Sequence, residues 1–151
     1  MTFPSEGLLR RATAFVATLG LGVAGYIAIA EAGGGSPTCV AGGGGCHTVA
    51  ESSHSELAGI NVAVIGVVGY LLILLSAFIA SDTGRFANFA LALVGFGYSV
   101  YLTYLEIFTI EAICQWCVAS AVLMTILFLL GATRLIGYAG SSRVDARLTE
   151  G

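Results

Sequence analysis

Lysine is absent from this chain. Charge of either sign is scarce: 10% of the 151 residues are Asp, Glu, Lys or Arg, against roughly 25% in a soluble domain. The net charge is -3, and six arginines are the only strong cations. So few cations build no basic patch able to neutralise a phosphate backbone, which excludes a nucleic-acid partner. The apolar residues take the missing share: 57% of the chain is hydrophobic and the mean hydropathy is +0.93. Such a chain belongs in a bilayer.

The apolar residues fall into four runs: Leu8–Ala30, Ile60–Ala80, Phe86–Leu105 and Val118–Ile136. Each is close to the roughly 20 residues a helix needs to cross about 30 Å of hydrocarbon. Lipid offers no partner for backbone N–H and C=O groups, so each run must satisfy its own, as a helix does. None has an ionisable residue at its centre, which weighs against an ion or proton pathway. The expected fold is an all-α membrane protein with four transmembrane helices.

Arginine sets the expected orientation. Arg10 and Arg11 stand in the first run, Arg85 between the second and third, and Arg134, Arg143 and Arg147 at or beyond the end of the fourth. Residues 31–59 and 106–113 hold none. The positive-inside rule therefore places both termini in the cytoplasm and every cysteine on the extracytoplasmic side of the inner membrane. The expected organisation is a tail at 1–7, a transmembrane domain at 8–136 with a long outer loop at 31–59, and a polar, unstructured tail at 137–151. A cleaved secretory signal ending at Ala30-Glu31-Ala32 is a second reading of the first run. Its core, Ala12–Ala30, exceeds the about 7–15 residues usual for a signal, which favours retention.

The outer loop opens with the glycine-rich "GGGSPTCVAGGGGCH" and continues into "TVAESSHSELAG", which suits a short helix on the membrane surface. Gly20, Gly22, Gly66, Gly69, Gly95 and Gly97 recur in the runs, where small residues let helix backbones approach. Tyr98, Tyr101 and Tyr104 stand near the outer end of the third run. They form either an interfacial belt or the wall of a pocket.

All four cysteines belong to outward segments, where disulfides are permitted. They allow three pairings, and spacing favours Cys39 with Cys46 and the CxxC of Cys114 and Cys117. The CxxC opens the fourth helix. Unpaired N–H groups and the positive dipole end there favour a thiolate, the reactive species in disulfide exchange. A CxxC staple closes a tiny loop and gains little as a structural crosslink. The alternatives are a non-enzymatic scaffold with structural disulfides, and a zinc site drawing on the cysteines with His47 and His54. Glu106 and Glu111 stand in the short outer loop, where carboxylates usually serve only to keep a loop in water, although proton handling is open to them. Trp116 suits anchorage of the helix end or shielding of the thiols.

The loop pair "CVAGGGGCHTVAESS", the glycine-bearing "GINVAVIGVVGY" and the late "YSVYLTYLEIFTIEAICQWCVASA" together resemble the vitamin K epoxide reductase family, in its bacterial form, over roughly residues 22–125. A second quinone-linked thiol oxidase family, that of disulfide bond formation protein B, carries its CxxC in the first outer loop, the reverse order. The resemblance implies a four-helix bundle around a quinone, ubiquinone or menaquinone, capped by the 31–59 loop. It implies that Cys114 and Cys117 are the active pair, with Cys117 facing the quinone. Cys39 and Cys46 become a shuttle pair, and Ser52 orders the loop. Quinone contacts are implied at Cys117, Asn61, Val62, Gly66, Tyr98, Tyr101 and Ala121. Val62 and Ala121 stand where the vertebrate enzyme has an asparagine and a tyrosine, which implies a simple quinone acceptor rather than an epoxide. A separate thioredoxin-like protein is the implied thiol partner.

Overall fold

The computed structural model describes residues 5–40, 45–51, 56–57, 59–79 and 81–149. Helix α1 spans Glu6–Ala32, and a short α2 spans Gly45–Ala50. A two-residue hairpin follows, β1 (Glu56–Leu57) antiparallel to β2 (Ile60–Asn61), with Glu56 opposite Asn61. Three long helices complete the chain: α3 (Val62–Phe78), α4 (Asp82–Leu105) and α5 (Gln115–Thr149), with a π-helical turn at Glu106–Ile110 between the last two. Helices α1, α4 with its π turn, and α5 over Gln115–Gly140 are long and apolar enough to cross a membrane. Helix α3 is equally apolar but has 17 residues.

Caps explain why α3 is shorter than its apolar run. Asn61 turns from strand partner to N-cap, its Oδ1 accepting the Ala63 N–H at 2.7 Å. At the other end Ile79 is already extended (φ -79°, ψ 111°). Ser81 then opens α4 by accepting the Gly84 N–H at 3.3 Å. Gly84 is required here, because a Cβ would strike the Ile79 carbonyl. The turn therefore reverses the chain within a few residues and lays α3 against α4.

Three boundaries differ from the sequence expectation. The segment after Leu105 is not a loop: the chain continues as the π turn and stops at Glu111, which is left-handed (φ 53°, ψ 29°). The Glu106 carbonyl accepts the Ala112 N–H at 3.1 Å and closes that end. Helix α5 runs on to Thr149 instead of ending near Ile136, since nothing in "GYAGSSRVDARLT" forbids helix and its backbone bonds continue unbroken. The short loop helix covers Gly45–Ala50, starting earlier than its expected stretch and taking in Cys46.

Each long helix packs against two others: α1 on α3 and α5, and α4 on α3 and α5. The core is Ala17 and Ala24 of α1, Tyr70 and Ile73 of α3, Ala92 of α4, and Met124 and Leu127 of α5. Small residues on α1 and α4 thus receive large ones from α3 and α5, the close approach that drives association in lipid. Gly20 shows it most clearly, since a Cβ there would overlap the Tyr70 ring. Gly66 sits against Ala24 and Gly95 against Met124, while Gly22, Gly69 and Gly97 have no neighbour in reach.

Arg10, Arg85 and Arg134 gather at the end of the helices away from the cysteines, and there they are structural. Arg10 donates to the Ala77 and Phe78 carbonyls at 2.9 and 3.0 Å, capping α3. Arg134, 2% exposed, donates to Glu6 Oε1 through Nη2 at 2.8 Å and Nε at 3.2 Å. Arg85 reaches the same oxygen at 3.4 Å and Asp82 at 2.6 Å. One carboxylate from α1 therefore ties α4 to α5.

Candidate active site

The cysteines meet at the other end. Cys39 and Cys46 form a disulfide with a Cα–Cα distance of 5.9 Å. Cys114 and Cys117 are free thiols. Helix α5 begins at Gln115, so Cys114 occupies the N-cap position and Cys117 the third residue of the first turn. The Val118 N–H reaches the Cys114 carbonyl at 3.0 Å, closing that turn.

This placement activates Cys114. The Cys117 thiol donates to its sulfur, and the backbone N–H groups of Cys117 and Trp116 add to that bond. Burial and the nearby Glu106 charge oppose ionisation. The hydrogen bonds prevail, and the Cys114 thiol falls from an ordinary value of 9.0 to about 7.

Glu106 completes the site. It is 5% exposed, and its Oε2 accepts the Cys114 N–H at 3.2 Å. Its carboxylate is also within reach of the Cys117 thiol, whose single proton is shared between it and the Cys114 sulfur. The π turn produces this arrangement, because the wider winding at Glu106 turns its side chain inward beneath the thiol pair. Glu111, at the end of the same turn, is exposed.

The two thiols face different surroundings. Cys117 lines an apolar cavity of about 350 Å³ between the helices. Cys114, 2% exposed, is not part of that wall. It lies toward the loop, where α2 touches both the π turn and α5. The approach is close: a Cβ on Gly45 would collide with the Ile113 carbonyl. Gly45 precedes Cys46 and Ile113 precedes Cys114, so the contact brings the two cysteine-bearing segments together.

Aromatic residues hold the rest of the loop. The Tyr26 hydroxyl accepts the Thr38 N–H at 3.2 Å, and Trp116 Nε1 donates to the Thr38 carbonyl at 3.0 Å. The two rings lie 5.0 Å apart. Trp116, inside the CxxC, thus fixes the residue that precedes Cys39.

Asn61, Val62, Gly66, Tyr98 and Ala121 all line the apolar cavity with Cys117. Tyr101 does not; it is half exposed and its ring lies 6.3 Å from that of Tyr98. Asn61 is fully engaged, with Oδ1 on Ala63 and Nδ2 on Glu31. The floor is closed by Tyr70, whose hydroxyl donates to the Ser120 carbonyl at 2.9 Å. Ser52 and His54 lie outside the described residues, as do Gly42, Gly43 and Gly44 of the glycine run. His47 pairs with Glu51 at 2.9 Å. Sequence reasoning ranked Glu106 as a solvated loop carboxylate and gave Glu31, Tyr26 and Gly45 no specific role.

The fold is a small helical one with membrane-length apolar helices, a dithiol on a helix N-terminus and an apolar cavity beneath one thiol. The model of the vitamin K epoxide reductase family matches residues 11–132, and the chain belongs to that family. Its members are oxidoreductases that in general take quinones as electron acceptors and work with thioredoxin-like partners. A comparison with curated proteins found no match.

Proposed function

We propose that this chain is a quinone-linked thiol oxidase that generates disulfides in a thioredoxin-like protein. The observation that carries the reading is the division of the thiol pair, with Cys117 on the apolar cavity and the buried Cys114 outside it, next to the segment that Gly45 contacts. The residues present suit a quinone head group. The cavity is apolar, Cys117 opens onto it, and Tyr98, Ser99 and Thr103 offer hydroxyls in its wall. When bound, a quinone supplies a two-electron, two-proton acceptor. Val62 and Ala121 offer the cavity no hydrogen-bonding side chain, which favours a plain quinone over an epoxide.

The cycle follows from exchange chemistry. A partner thiolate attacks Cys39 Sγ and releases Cys46. Cys46 attacks Cys114 Sγ of an oxidised Cys114–Cys117 pair and releases Cys117. The second partner thiol then resolves its bond to Cys39, leaving the partner oxidised. Cys39 returns to Cys46, and Cys114 departs as a thiolate. The pairing in the structure, loop disulfide formed and Cys114 and Cys117 reduced, corresponds to the state at that point. Oxidation of the dithiol re-forms the Cys114–Cys117 bond, and two electrons pass out on the cavity side. Glu106 takes the Cys117 proton and holds the Cys114 backbone in place. The positive-inside rule puts the disulfide end outside the cytoplasmic membrane and both termini inside, with all four long helices spanning.

The purified, reduced protein in detergent should lose free thiols on anaerobic addition of ubiquinone or menaquinone. The reduced Cys117→Ala variant should keep its thiols; isolated instead with the loop disulfide formed, it should collect a Cys46–Cys114 bridge by exchange that frees Cys39, visible by mass spectrometry. A thiol count that ignores quinone would overturn the reading in favour of structural disulfides. A zinc site of four cysteines fits the structure poorly, because Cys39 and Cys46 are joined to each other.

A further inference from the structure

Reduction of a quinone needs protons as well as electrons, and the cavity has a carboxylate besides Glu106. Glu31 stands in the last turn of α1. Its Oε2 accepts from Asn61 Nδ2, and Asn61 is itself held by the Ala63 N–H at 2.7 Å. The pair forms a partition. Glu31 and Asn61 line the apolar cavity of about 350 Å³ and also a second, polar cavity of about 290 Å³. His47 of α2, Glu51 just after it, Glu56 of β1 and Ser36 wall this second chamber. The His47 and Glu51 side chains are 61% and 67% exposed, so the chamber meets water. Across the apolar cavity the remaining ionisable groups in the wall are Glu106, Cys117, Tyr70 and Tyr98. Among the described residues Glu31 is the one carboxylate common to both chambers.

We propose that Glu31, oriented by Asn61, is a proton-relay residue that passes protons from the polar chamber into the quinone cavity. The inference rests on the thiol:quinone reading. In each turnover the partner's two S–H bonds are lost, the Cys114–Cys117 bond re-forms, and two electrons and two protons end on the quinone. Cys114 leaves the exchange as a thiolate, so one of the two protons is released on the loop side. The Cys117 proton passes to Glu106, in the cavity wall. One proton is then missing on the cavity side, and Glu31 delivers it from the chamber. Two protons leave and two arrive, with no further oxidant or reductant.

The test is Glu31→Gln in the full chain in detergent, with a short-chain ubiquinone as probe. Quinone affinity is read by quenching of Trp116, the only tryptophan, and turnover by thiol loss. Affinity should stay within about twofold while turnover falls at least ~10-fold, the size of a lost proton-transfer group. Formate should restore part of the turnover, and Glu31→Asp most of it. Wild-type turnover in Glu31→Gln overturns the relay. So does a loss of affinity that accounts for the whole defect without formate rescue, since Glu31 would then only shape the cavity. Should Glu31→Gln fail to fold, Glu31→Asp decides: a displaced pH profile of turnover supports the relay, and an unchanged profile overturns it. Wild-type thiols that do not respond to quinone mark failure of the underlying function, a result distinct from these.

Discussion

The carboxylate of Glu106 accepts the backbone N–H of Cys114 at 3.2 Å, so an acidic side chain lies beneath a thiol held near neutrality. Its negative charge opposes ionisation of Cys114. The alkylation rate of Cys114, followed in a background with the other cysteines intact and the loop disulfide formed, should rise with pH through a midpoint at about 7. The sign is that of a lowered thiol: more thiolate above the midpoint, less below. Glu106→Gln removes the opposing charge and keeps an acceptor, so the midpoint should move down. An upward move would mean that Glu106 is not charged beside Cys114.

In the proposed cycle, transfer between the pairs should depend on Gly45. A methyl group there meets the Ile113 carbonyl, which belongs to backbone and cannot swing away. Gly45→Ala should cost about 1–3 kcal/mol of stability and push α2 off the π turn. In the Cys117→Ala background the Cys46–Cys114 bridge should become scarce, while the Cys39–Cys46 disulfide forms normally. Mass spectrometry of the two species reports both.

Trp116 is expected to act through the loop. Trp116→Phe keeps the ring beside Tyr26 but removes the donor to Thr38, a loss of about 1 kcal/mol. Residues near Cys39 should become easier to cleave by limited proteolysis. Oxidation of a small dithiol should slow less than oxidation of a protein partner, which needs the loop in place.

At the arginine end, Glu6 is the shared counter-charge of Arg134 and Arg85. Glu6→Gln leaves a buried guanidinium with a weaker partner. The cost should exceed the roughly 1 kcal/mol of an exposed pair and fall short of the about 3–5 kcal/mol of a fully buried one, because Glu6 itself is partly exposed. Thermal unfolding in detergent should show the lower midpoint. Arg11→Gln, at an exposed position with no described partner, should change stability little by comparison.

The sequence by itself determined the class of protein and which segments carry its cysteines. Apolar runs of membrane length leave the backbone no option but helix, and local spacing favours the disulfide of Cys39 with Cys46 that the structure shows. The asymmetry of arginine placed one end of the helices opposite the cysteines, because Arg10, Arg85 and Arg134 all stand toward that end of their runs. These are local or compositional signals, and the chain carries them wherever it folds.

What only the tertiary structure decided are the distances between segments far apart in the chain. A carboxylate in a loop and a carboxylate in a π turn read alike along the sequence, because the winding that turns Glu106 inward is set by packing. Gly45 looks like one more member of a flexible glycine run until Ile113 is brought against it. Tyr98 and Tyr101 are equivalent by position, yet the rotation of α4 sends one to the cavity and the other outward. Glu31 and Asn61 are separated by a loop, and their meeting depends on α1 packing against α3.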